Sequence, residues 1–159
     1  MIHYLIVFFI SMVPLIELRG AIPYAVGFIQ AGEPLSLPLC YLVAIIGNMI
    51  PVPIIFFFAR KVLEWGKDKP VIVGFFTFCL EKGHKGGEKL QNTAGKGLYF
   101  ALFLFVGIPL PGTGAWTGTL AASILDMDFK KSVLAVVSGV VLAGVIMGVV
   151  SAGLFSVVF

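Results

Sequence analysis

Two ionisable side chains, Glu17 and Arg19, stand inside an apolar stretch that covers residues 2–29. A charge near the middle of a bilayer costs about 2.5–3.5 kcal/mol on insertion scales, so a membrane chain keeps one where it faces protein, a partner or a water-filled cavity. Arg19 can present a planar fork to a phosphate or carboxylate, and Glu17 can pair with it or exchange a proton. Two roles fit these residue types: a substrate-binding or ion-coupling site, and a buried ion pair that only holds the chain in place.

A second set of residues offers chemistry of a different kind. Residues 109–118 are uncharged and read Pro109, Leu110, Pro111, Gly112, Thr113, Gly114, Ala115, Trp116, Thr117, Gly118. Glycines 112, 114 and 118 permit positive φ and close approach, Thr113 and Thr117 carry hydroxyls, and a helix restarting after them would present free N–H groups that favour anions. The alternative is a tight turn with helix caps, and Trp116 can line a cavity or simply pack. The segment lacks the Gly-Lys-Ser/Thr ending of a P-loop. Asn48, beside Pro51 and Pro53, marks a third irregular place. The histidines are His3 and His84, and Cys40 and Cys79 lack metal-ligand spacing and read as packing residues. With no nucleophile and base pair and no metal cluster readable, the expectation is a protein that is not an enzyme and uses no metal or cofactor.

The elements that must position these residues follow from composition. Hydrophobic residues make up 59% of the 159 and charged residues 12%, with a mean hydropathy of +1.06. Such a chain reads as one integral membrane domain, and its net charge of +3 is no nucleic-acid signal. Spanning about 30 Å of hydrocarbon takes about 20 helical residues. Residues 39–59 meet that length, with a kink or local unwinding expected at Asn48, Pro51 and Pro53. Residues 132–159 meet it as well.

Residues 2–29 and 98–125 are long enough in total but interrupted, the first around residues 14–23 and the second around 107–118. The favoured reading is two re-entrant helical hairpins, since each half is too short to span; the alternative is full spans with proline kinks. Residues 60–97 hold eight of the eleven basic residues against four acidic ones, which makes them cytoplasmic by the positive-inside rule. Their apolar patch, residues 71–80, is too short to span and belongs in the interface as an amphipathic helical segment or beneath the hairpin. With Lys130 and Lys131 also inside, both termini come out external in a prokaryotic plasma membrane, and the N-terminus reads as mature structure rather than a signal peptide.

The resulting layout is an inverted repeat: residues 1–59, a cytoplasmic linker 60–97, and residues 98–159. Residues 14–21 can be set against 109–115 with one gap. Repeats of this kind place a binding site near the midplane, where interrupted elements meet. Gly144, Gly148 and Ala152 recur every four residues on the last span, a stripe that serves either a homodimer or packing within one subunit.

The runs Ile16-Glu-Leu-Arg-Gly-Ala-Ile-Pro23 and Ile108-Pro-Leu-Pro-Gly-Thr-Gly-Ala-Trp-Thr-Gly118 together resemble the signature of the putative small multidrug export protein family, across nearly the whole chain. That family is similar, more distantly, to the DedA or VTT membrane proteins. The resemblance implies two opposed re-entrant hairpins and the transport or translocation of amphipathic substrates, polyprenyl-phosphate lipids among them, coupled to a proton or sodium gradient. Carried over, the acidic and basic positions of the first hairpin fall on Glu17 and Arg19. The second hairpin departs from the pattern, with Gly107, Pro111 and Gly112 where the DedA proteins have arginines. A single Arg is a poorer clamp for a multiply charged anion than several. A rival within transport is a proton-coupled exporter of cationic drugs through Glu17; a rival outside it is a membrane assembly protein with Glu17 and Arg19 as a structural pair.

Overall fold

The computed structural model describes residues 1–66, 97–125 and 127–158. Among them the secondary structure is all helical: α1 (Ile2–Met12), α2 (Glu17–Gln30), α3 (Leu37–Met49), α4 (Pro51–Gly66), α5 (Leu98–Gly107), α6 (Ala115–Ile124) and α7 (Phe129–Val158). The expectations for residues 71–80, for Cys79 and His84, and for the lysines at 67, 69, 82, 85, 89 and 96 lie outside the described residues.

Two helices are long and apolar enough to cross a membrane, Leu37–Phe58 and Phe129–Leu154. The first bends where expected. Pro51 and Pro53 carry no N–H, so the helix is interrupted at Ile50 and restarts at Pro51, where the missing donor costs least. Both present large apolar residues outward, Leu42, Ile46, Val145 and Val149 among them.

The other helices are short. At 1.5 Å per residue α1, α5 and α6 extend about 15–17 Å and α2 about 21 Å, all below the hydrocarbon thickness. The breaks that separate them differ from expectation in one respect. The second falls at residues 108–114, inside the expected interval, but the first occupies only residues 13–16, and the chain is helical again from Glu17 through Pro23. Leu18, Ala21, Ile22, Ala25 and Val26 are buried at helical spacing, and packing of that stripe outweighs the one hydrogen bond that Pro23 removes from the helix interior.

The packing partners are reciprocal. α1 lies on α3 and α2 on α7, while α5 lies on α7 and α6 on α4. Each short helix that opens a pair thus rests on the long helix that follows it in sequence, and each short helix that closes a pair rests on the long helix of the other half. Small residues allow the close approaches: added Cβ atoms at Gly118 and Gly139 would both collide with Val106 of α5. In the Gly144, Gly148 and Ala152 stripe, the two glycines receive the ring of Tyr41, whose hydroxyl donates to the Gly144 carbonyl at 2.9 Å. Ala152 is exposed.

Candidate functional site

The two breaks meet. Glu17 opens α2 with φ +52°, and Leu15 just before it has φ +71°. Left-handed backbone at non-glycine residues is strained by about 1–2 kcal/mol each and persists only where surrounding contacts over-determine it. Here the contacts are on the other break. The Glu17 carboxylate, 3% exposed, accepts the Ala115 N–H on Oε2 at 3.1 Å and the Trp116 N–H on Oε1 at 3.0 Å. These are the first two N–H groups of α6, among those that a helix start leaves without intrahelical partners and where the helix dipole favours negative charge. The residue at the N-cap, Gly114, has no side chain to cap with, and its φ of +129° suits glycine alone. A Cβ added there would collide with the Glu17 carboxylate. Glu17 therefore does, from 98 residues away, what a local Ser or Asp does at an ordinary helix start.

Arg19 reaches the same break from the next part of the turn. Its Nη1 donates to the Leu110 carbonyl and its Nη2 to Thr113 Oγ1 at 2.7 Å. The Thr113 hydroxyl lies 3.0 Å from the Ile108 carbonyl and 2.8 Å from that of Leu110, either of which can accept its proton. Glu17 and Arg19 do not meet in a direct salt bridge, one of the two roles that their residue types leave open. Among the described residues the only pair within 4.0 Å is His3 with Glu33, because both charged side chains are committed to polar groups of the second break instead.

Asn48 joins from the end of α3. It is 1% exposed, its side chain lies beside the Glu17 carboxylate, and its Oδ1 has no partner among the described residues. Two further atoms near the start of α6 share that condition, Trp116 Nε1 and Thr119 Oγ1. Of the residues singled out from sequence, Glu17, Arg19, Asn48, Thr113, Gly114 and Trp116 converge. Pro109 and Gly112 are half-buried and Pro111 is exposed; they shape the break, with Gly112 at φ +81°. Thr117 is half-buried on α6 and its hydroxyl makes no hydrogen bond to a described side chain or loop.

Two participants lie outside the sequence reading, which does anticipate the free N–H groups at the start of α6. The Leu110 carbonyl is a main-chain group, to which side-chain type gives no clue. Thr119 carries a hydroxyl inside an apolar run, a signal that could have been followed. No group of three His, Cys, Asp or Glu capable of holding a metal ion occurs among the described residues.

No curated protein and no solved structure matches the chain. A family model does, described as putative small multi-drug export protein, and its match opens on Glu17 itself and extends over residues 17–146. That span takes in α2, the first long helix, more than half of the second and every residue of the cluster, so this chain, with two helices long and apolar enough to cross a membrane, belongs to the putative small multi-drug export protein family.

Proposed function

We propose that the protein is a secondary transporter that moves an amphipathic substrate, a cation or a phosphate-bearing lipid, past the meeting point of its two interrupted segments. In this reading each segment is a re-entrant hairpin, the halves form an inverted repeat, and Glu17 is the ion-coupling group. The observation that carries it is the Glu17 carboxylate held by the free N–H groups of α6. A carboxylate so placed has two states, one engaged with the helix start and one released by a proton, a metal cation or a cationic substrate. Engagement joins the halves and release lets them separate, which is the event that alternating access needs. The reciprocal packing of short helices on the two long ones supports the repeat. Arg19 adds a second tie, and a phosphate bound at its guanidinium would have to displace Leu110 and Thr113.

The test is reconstitution into liposomes with imposed pH or Na+ gradients, reading flux of a fluorescent amphipathic cation and of a labelled lipid phosphate. Glu17→Gln is expected to abolish gradient-driven flux of the true substrate while the protein still inserts. Full gradient-driven flux in both Glu17→Gln and Arg19→Ala would sink the reading.

The structural reading has one specific observation in its favour, since both carboxylate oxygens are already satisfied by protein. Exchanging the two charges does not separate the readings. Glu17 and Arg19 bind the second break rather than each other, so Glu17→Arg with Arg19→Glu would place a cation on a helix start under either one.

A further inference from the structure

Several contacts of the first half recur in the second. The Tyr4 hydroxyl accepts the Ser36 N–H at 2.8 Å and the Tyr99 hydroxyl accepts the Asp128 N–H at 3.2 Å, so a tyrosine of the opening short helix ties the residue before each long one. A Cβ added at Gly47 would collide with the Phe8 carbonyl of α1, and one at Gly139 with the Phe103 carbonyl of α5. Just past the closing short helices, the Glu33 N–H donates to the Phe28 carbonyl and the Met127 N–H to the Ala122 carbonyl. Tyr4 and Phe8 stand at one sequence offset from Tyr99 and Phe103, and Phe28 and Glu33 at another from Ala122 and Met127. At those offsets His3 corresponds to Leu98 and Tyr24 to Gly118.

One cluster breaks the correspondence. His3 Nδ1 lies 3.0 Å from the Tyr24 hydroxyl, and Nε2 lies 3.9 Å from Glu33 Oε2. The imidazole centroid is 4.5 Å from that of Phe28, which in turn is 4.7 Å from that of Tyr24. The His3 side chain is 18% exposed and that of Glu33 47%, so the imidazole is largely covered while the carboxylate stands open to water. The matched positions in the second half are Leu98, Gly118, Ala122 and Met127, none of which ionises. The shared ties are what this part of a half needs in order to pack. An imidazole and a carboxylate are additions to it.

We infer that His3 is a proton-operated latch, which on taking a proton from solvent clamps the start of α1 to the end of α2 and to the loop before α3. Neutral imidazole has one N–H to give, whereas imidazolium has two and a charge. With both nitrogens donors, Nδ1–H serves the Tyr24 oxygen, Nε2–H and the charge draw in the Glu33 carboxylate, and the cation lies against the Phe28 ring. The 3.9 Å gap to Glu33 is the part that closes. Tyr24 faces the imidazole from α2 and Glu33 from the loop. On α1, Tyr4 is committed to Ser36, and the amino group of Met1 belongs to a residue 99% exposed, where water screens it. Arg19 is the single Lys or Arg of residues 1–59 and is committed to the second break, and residues 132–159 carry no charged side chain. Acid therefore tightens, and alkali loosens, the far end of the helix that opens on Glu17. Any effect on flux rests on the transport reading, but the latch itself does not.

The experiment reads stability and ring environment. Thermal unfolding midpoints of the full-length protein in nanodiscs are measured at pH 8 and pH 6 for wild type, His3→Gln, Glu33→Gln and, to account for the other imidazole, His84→Gln. Acidification is expected to raise the wild-type midpoint by about 2–4 °C relative to His3→Gln. Glu33→Gln should lose most of that gain and His84→Gln should keep it. In parallel, a single fluorine on the Phe28 ring is followed by NMR over the same pH range, and its signal is expected to move in wild type and to hold still in His3→Gln.

An identical pH response of the midpoint in wild type and His3→Gln would overturn the inference. So would a fluorine signal that stays fixed in the wild-type background, a measurement that depends on no variant folding. Neither readout involves flux, so the latch and the transport reading stand or fall separately.

Discussion

The two interrupted segments solve the same problem with opposite materials. The first break is four residues long, contains no glycine, and has Leu15 and Glu17 at positive φ in and beside it. The second is seven residues long, uses glycine at both of its positive-φ positions, 112 and 114, and carries no charge. One side accepts backbone strain in order to aim two charged side chains. The other keeps its backbone relaxed and offers main-chain groups plus one hydroxyl as their partners. The difference shows that the halves are complementary rather than equivalent: the charges of the first break have their binding partners in the second, and neither break is complete alone.

The largest way to disturb that complementarity is Gly114→Ala. The added methyl group occupies the place of the Glu17 carboxylate and forces φ +129° on an L-residue. Loss of the two charge-assisted hydrogen bonds together with the backbone strain amounts to about 3 kcal/mol or more. The thermal midpoint of purified protein is expected to fall steeply, with little folded material recovered from membranes. A midpoint within two or three degrees of wild type would mean that the carboxylate does not fill that space. Gly112→Ala makes the comparison, since it bears the left-handed strain at a position that no hydrogen bond ties to Glu17, and it should cost clearly less.

Next in size is Glu17 itself, where the contrast between two variants carries the information. Glu17→Ala strips the partner from both N–H groups, for about 2–4 kcal/mol given that buried orphans cost about 1–3 kcal/mol each and some will find water. Glu17→Gln keeps one acceptor oxygen and should cost about half as much. If Glu17→Gln proves as damaging as Glu17→Ala, the charge on the helix start rather than the count of hydrogen bonds governs stability.

This cluster also shows how far the sequence could be read. Both breaks were legible, because prolines and glycines in an apolar run remove donors and helix propensity wherever they occur. The extent of the first was not, since Pro14 and Pro23 look alike locally and only the buried stripe from Leu18 to Val26 distinguishes them. That stripe has helical spacing and was available to be weighed. Convergence of Glu17 and Arg19 on residues 108–116 followed from the expected symmetry, yet the mode of contact did not. The free N–H groups at the start of α6 could be expected from the glycines and the restarting helix, but not that Glu17 would take them, and the carbonyls of Ile108 and Leu110 are main-chain groups that no side chain announces. The choice between a direct ion pair and separate partners was open for the same reason: a carboxylate and a guanidinium two residues apart look like partners only until backbone groups from a distant segment are in place.

The smallest effect tests whether the second tie is independent of the first. Arg19→Lys leaves a cation but loses the planar fork that serves Leu110 and Thr113 together, and Thr113→Val removes the acceptor while keeping the shape. Each should cost about 1 kcal/mol, within the range that polar contacts in membrane helices have shown. Because the two variants break one shared contact, their costs should not add, and a double-mutant cycle should return a coupling of about 0.5 kcal/mol or more. Glu17→Gln combined with Thr113→Val should come closer to additivity, since the carboxylate binds the start of α6 and the guanidinium binds the break before it. Coupling as large for that pair as for Arg19 with Thr113 would mean that residues 108–116 respond as one body. The two charges would then act as a single latch on the second segment, and release of Glu17 alone would be enough to loosen Arg19.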